Sequence, residues 1–107
     1  MGNDCVVVLT TIGSTADGRG MASILVTERL AACVNLLPEM ESFYRWKGQV
    51  EDGHERQLVM KTTASRVAAL KTRCHELHDY EVPEFIVLPI VGGSDAYLNW
   101  IRESTAG

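Results

Sequence analysis

Two short segments of this chain, Val6-Val7-Val8-Leu9 and Phe85-Ile86-Val87-Leu88, are apolar at every position, and this constrains the fold more than any other feature. Successive side chains of a β-strand point to opposite faces, so a strand with one face in water shows a polar residue at every second place. Neither segment does. Read as strands, both belong to the middle of a sheet whose two faces are covered.

The surrounding pattern supplies the other elements. Gly13 ends the first strand, residues 6–11, and a helix follows with Ser14 as its expected cap and Asp17 three residues on. Ala22, Leu25, Val26 and Leu30 form its apolar stripe, although Gly18 and Gly20 each weaken it by about 1 kcal/mol relative to alanine. Residues 32–37 read as a second strand, interrupted at Pro38, which cannot donate to a ladder and so marks a bulge, and resumed over 40–46 up to the turn signal Lys47-Gly48. Residues 49–53, ending in Asp52-Gly53, are expected as loop, and 57–62 return antiparallel. Thr63 or Ser65 is the expected cap of a second helix, striped by Val67, Leu70, Cys74 and Leu77 and ending near His78. A polar loop over 79–84, a last strand over 85–91 and the pair Gly92-Gly93 lead to a final helix starting at Ser94 or Asp95. Tyr97, Leu98 and Ile101 share one face of it, with Trp100 at the border. The order β-α-β-β-α-β-α predicts an α+β, ferredoxin-like split βαβ sandwich with one extra C-terminal helix, in a single domain over 1–107.

Right-handed crossovers place both main helices of that plan on one face of the sheet. The final helix, about nine residues and so roughly 14 Å long, is too short to cover the other face alone. Association with copies of the same chain is therefore expected, with the long second and third strands offering edges for pairing.

Ten Lys and Arg against fourteen Asp and Glu give a net charge of -4, with no basic run, which argues against a nucleic-acid partner. No apolar run approaches the roughly 18 residues of a membrane span. Cys5, Cys33 and Cys74 are odd in number and far apart, and no basic flank precedes an apolar stretch at the start, so a reduced, cytoplasmic protein with free thiols is expected. Gly2 does not open a myristoylation motif, because the sixth residue is Val6 rather than Ser or Thr.

Two groups of residues could carry chemistry. Cys74, His75 and His78 cluster at the end of the second helix, ahead of Asp79, Glu81 and Glu84, and all three side-chain types ligate first-row metals. Cys74 lies on the apolar stripe and is expected in the core, and His75 points to solvent. His78, at the helix end, fits either a ligand or a dipole partner. Lys61 is a charge within an apolar strand, and calls for a carboxylate or an anionic ligand unless its head snorkels to water. Glu84 is its expected partner, and Tyr80, Trp46 and Trp100 are candidate walls of a small-anion pocket at a cleft between subunits. No phosphate-cradling loop, CxxC pair or His-Glu-x-x-His motif is present, and nothing in the sequence supports catalysis.

Residues 28–35 (Glu-Arg-Leu-Ala-Ala-Cys-Val-Asn), Tyr44-Arg45-Trp46-Lys47-Gly48, Met60-Lys61-Thr62, residues 78–84 (His-Asp-Tyr-Glu-Val-Pro-Glu) and Tyr97-Leu98-Asn99-Trp100 resemble, in order and spacing, the CutA divalent-cation tolerance family. The resemblance runs from about Val6 to Thr105. It implies a ferredoxin-like protomer in a tight homotrimer, similar in architecture to the PII signalling proteins, with a link to copper and other divalent cations. It also implies His78 and Glu84 as metal ligands, together with a cysteine near the end of the first strand. Here that position is Thr10, whose hydroxyl is a far poorer copper ligand than a thiolate, leaving a looser site of two protein ligands and water. A PII-like sensor binding a small anion at subunit clefts, with Lys61 at its centre, is the alternative that the resemblance leaves open.

Overall fold

The computed structural model describes residues 4–107, so the lipidation reading at Gly2 lies outside the described residues. The elements are β1 (Cys5–Gly13), α1 (Gly18–Thr27), β2 (Cys33–Trp46), β3 (Gln49–Thr63), α2 (Val67–Leu77), β4 (Ile86–Pro89) and α3 (Asp95–Thr105). The strands form one sheet in the order β2-β3-β1-β4 with every neighbouring pair antiparallel, which is the expected α+β plan. Among the described residues, no helix is long and apolar enough to cross a membrane.

The period of two along β1 divides its side chains between two environments. Val6, Val8 and Ile12 pack with Leu58 and Met60 of β3 against Met21 and Leu25 of α1 and against Leu70 and Cys74 of α2, so both crossover helices lie on one face. On the other face the register aligns Cys33, Lys61, Val7 and Leu88 in one row, and Asn35, Val59, Leu9 and Ile86 in the next. α3 shelters only one end of that face, where Leu98 and Ile101 meet Cys5 and Ala32. Ile86 and Leu88 remain 45% and 43% exposed. Full burial of such a side chain is worth about 1.5–3 kcal/mol, so this single chain leaves a substantial part of its sheet's apolar surface unburied.

Several local expectations need correction. Asp17, not Ser14, caps α1: its Oδ1 accepts from the Gly20 N–H at 2.9 Å. The first helical residue is Gly18, where a Cβ would lie 2.9 Å from both Ile12 and Leu36 and only glycine fits. α1 also stops before Leu30, since Arg29 takes a positive φ of 61°; Leu30 stays buried below the helix end. Residues 49–53 are strand rather than loop, because the turn is completed by Lys47 and Gly48 alone, at φ 50° and 79°. A two-residue turn of that handedness matches the twist of the flanking strands and lets pairing start at once, Trp46 opposite Gln49. The bulge at Pro38 is present: the β2–β3 register shifts between Leu36 and Glu39, and Arg56 Nε donates to the Leu37 carbonyl at 2.8 Å.

Neither Thr63 nor Ser65 caps α2. A 3₁₀ turn, Ala64–Arg66, precedes it, and Thr63 and Ser65 face each other at 3.2 Å. β4 is four residues long instead of seven. On α3 the buried face is Leu98, Ile101 and Thr105, whereas Tyr97 pairs with Trp100 outside, ring centroids 5.3 Å apart.

Candidate functional site

The β2–β3 hairpin and the loop over 79–84 face each other across the end of β1. Two sets of hydrogen bonds hold the loop there. Thr10 Oγ1 donates to the Glu84 carbonyl at 2.6 Å, and Gln57 Nε2 donates to the Thr10 carbonyl at 2.7 Å and to Glu84 Oε2 at 2.9 Å. At the start of the loop, His78 Nε2 donates to the Thr11 carbonyl, while Nδ1 accepts from the Tyr80 N–H at 3.1 Å. Both ring nitrogens thus serve the main chain, and the ring is 1% exposed. This pairing selects the tautomer with its proton on Nε2.

Between hairpin and loop lies a cleft of about 820 Å³. Glu55, Asp79, Glu81 and Glu84 supply four carboxylates, and among the described residues no lysine, arginine or histidine lines it. Tyr44, Trp46 and Tyr80 supply aromatic walls that remain 46%, 37% and 37% exposed. Tyr80 is fixed by its hydroxyl, which donates to Glu55 Oε2 at 3.1 Å, and by its ring, 4.6 Å from that of His78. Burial and then the Glu55 carboxylate push the Tyr80 hydroxyl up to about 12. Just outside the lining, Lys47 Nζ lies 3.9 Å from Glu81 Oε2 and 5.7 Å from the Trp46 ring centroid.

The family model of the CutA1 divalent ion tolerance protein matches residues 6–104. This chain belongs to that family. A divalent-cation tolerance protein CutA from Thermus thermophilus is 48% identical over 99 residues, covering 92% of this chain and 96% of its own length. The chloroplastic CutA of Arabidopsis thaliana is 44% identical over 100 residues, and the match spans 94% of this chain but only 55% of that protein. The crystal structure of CutA from Xylella fastidiosa superposes with a TM-score of 0.92 at 39% identity, covering 96% of this chain and 99% of that one. The CutA architecture is therefore that of this chain, and the acidic cleft lies within the matched region.

Trp46, Tyr80 and Glu84 meet at the cleft, as members of two different expected sets. His78 does not join them: its ring faces a smaller recess of about 300 Å³ beside Met21, Ile24 and Leu77. Lys61 stands apart from both. Its ammonium donates to Asn35 Oδ1 on the open sheet face, and the expected Glu84 partner bonds Gln57 instead. Lys61 is four residues from Gln57 along β3, roughly 13 Å at strand rise, which rules out that pairing within one chain. Trp100 is likewise distant in role, on α3 beside Tyr97.

Cys74 is core, 2% exposed, and burial pushes its thiol up to about 11. His75 is exposed and bonds the Lys71 carbonyl. Among the described residues, no group of three or more His, Cys, Asp or Glu is placed to hold a metal ion. Thr10 is buried with its hydroxyl given to the Glu84 carbonyl.

Glu55, Gln57 and Tyr44 were not singled out by the sequence. Gln57 carried a signal, a polar residue opening the apolar run Leu58-Val59-Met60. Tyr44, two residues before Trp46, shares that strand face by the period of two, whereas Glu55 becomes visible only once the hairpin register is known.

Proposed function

We propose that this chain serves divalent-cation tolerance as a cytoplasmic homotrimer that holds hydrated divalent ions, copper(II) among them, loosely in the cleft, with Glu84 as first protein ligand and water completing the shell. The observation that carries this reading is the cleft itself: four carboxylates and, among the described residues, no basic side chain in its lining. Membership of a divalent ion tolerance family agrees with that chemistry. Carboxylate and water oxygens suit hard divalent cations, whereas copper(II) favours an imidazole as well. His78 can supply one only by turning out of its own recess and giving up its main-chain hydrogen bonds, each of which costs on the order of 1–3 kcal/mol, so the site is weak and copper is held loosely.

The half-exposed rows of the open sheet face supply the reason to trimerise, since neighbouring copies bury Ile86 and Leu88. Cys33 and Cys74, whose thiols are free, fit a reducing compartment. The small-anion reading lacks support, because Lys61 lies outside the acidic cleft. No reaction belongs to this proposal.

The test is a calorimetric titration of copper(II) and of magnesium into wild type, Glu84→Gln and His78→Ala, with native mass spectrometry for subunit number. Glu84→Gln is expected to weaken both ions by roughly tenfold, about 1.4 kcal/mol, and His78→Ala to weaken copper alone. Equal binding of both ions by all three proteins would remove these residues from any metal site.

A further inference from the structure

The aromatic end of the cleft is not explained by metal ions. A strongly hydrated divalent ion keeps its water shell and gains little from a ring face, whereas a weakly hydrated organic ammonium gains from both the ring and the carboxylate. Four rings line the cavity, Phe43 with Tyr44, Trp46 and Tyr80, all of them part-exposed or exposed, and its polar lining includes Glu55, Asp79 and Glu81. Isolated exposed rings are ordinary on a protein surface, but four lining one acidic cavity are not. The chain also shows what fits there. An ammonium group, that of Lys47, already lies over the Trp46 ring and beside Glu81, at 5.7 and 3.9 Å.

We infer that this end of the cleft, formed by Tyr44, Trp46, Tyr80, Glu55 and Glu81, binds a linear aliphatic diamine or polyamine, one of whose ammonium groups takes the place held by Lys47. The contact to be displaced is cheap to break, since Lys47 and Glu81 are 72% and 69% exposed and a pair so placed contributes little. A volume near 820 Å³ falls within the roughly 300–1,000 Å³ of small-molecule sites, which favours a free amine over a folded basic partner. Glu55 is positioned by the Tyr80 hydroxyl, giving a second fixed carboxylate for the far ammonium group. The proposal goes beyond the metal reading and uses neither His78 nor Glu84.

The chain has two tryptophans, so Trp100→Phe leaves Trp46 as the sole reporter. Titrating 1,4-diaminobutane into that protein, in the presence of EDTA, is expected to give a saturable change in Trp46 emission. Magnesium, of equal charge and added without chelator, is expected to give a much smaller change, and neutral 1,4-butanediol none. Glu81→Gln should weaken the diamine by roughly fivefold, and Lys47→Met should tighten it by roughly threefold, because the competing internal ammonium is gone. Both residues are surface-exposed, so folding is not at issue. Glu84→Gln, which disables the proposed metal site, should change diamine binding by no more than roughly twofold. An absent response to the diamine, an equal response to butanediol or to magnesium, or an unchanged affinity in Lys47→Met would each overturn the inference. None of these results bears on copper binding measured by calorimetry.

Discussion

His78 and Thr11 are joined by a hydrogen bond from the imidazole Nε2 to the main-chain carbonyl, which ties the end of α2 to the last turn of β1's ladder. With Nδ1 accepting from Tyr80, the ring works as a bracket that sets where the loop over 79–84 begins. His78→Ala should therefore lower stability by about 1–3 kcal/mol, because Thr11 loses a buried donor. Urea unfolding of the two proteins measures it. An unchanged midpoint would show that the ring is not structural, and would make it a readier metal ligand.

Arg66 forms a comparable clasp at the other end of the molecule. Its Nε donates to the Thr105 carbonyl at 2.7 Å and its Nη2 to the Gly107 carbonyl at 3.0 Å. Arg66→Ala is predicted to lower stability by about 1–2 kcal/mol and to speed amide exchange in α3 more than in α2. Uniform exchange across both helices would contradict a local role.

His54 and Glu39 pair across the hairpin at 2.6 Å beside the bulge, and that hydrogen bond, with the Glu39 charge and the nearby Glu41 and Asp52, raises the His54 pKa. A folded-state pKa above the unfolded one means that the pair stabilises fully below the unfolded value, near 6.5, and loses its effect as pH rises through the raised value. The stability difference between wild type and His54→Asn should shrink as the pH is raised from about 5.5 to about 9. It should also shrink with added salt at the lower pH, because the pair is solvent-exposed. A difference that grows with pH would refute the pairing.

Burial pushes the thiols of Cys74 and Cys5 upward, the first to about 11, and Cys33 is only partly buried. At pH 8 a thiol reagent should leave Cys5 and Cys74 unmodified in the native protein and reach all three cysteines only on unfolding. Rapid native modification of either buried thiol, read by mass spectrometry, would show that the core opens locally.

Much of this architecture was legible beforehand because period and punctuation are local. The unbroken apolar runs placed β1 and β4 in the sheet, the helical stripe through Leu70 and Cys74 placed α2, and Pro38 located the bulge. Where the reading failed, two local signals competed. Lys47-Gly48 and Asp52-Gly53 are both turn dipeptides, and only the cross-strand pairing from Trp46–Gln49 onwards decides that the first closes the hairpin. The same ambiguity concealed Glu55, whose place depends on that register.

By itself the sequence determined the order of elements, the family, and the presence of a sheet too apolar for one chain to cover, because each follows from the spacing of residue types along the backbone. Only the tertiary structure decided which side chains meet. It gathered four carboxylates and four aromatic rings from β2, β3 and one loop into a single cleft, set the His78 ring apart in its own recess, and left Lys61 on the sheet face. Such meetings depend on strand register and loop path, and those are fixed by contacts between residues far apart in the chain.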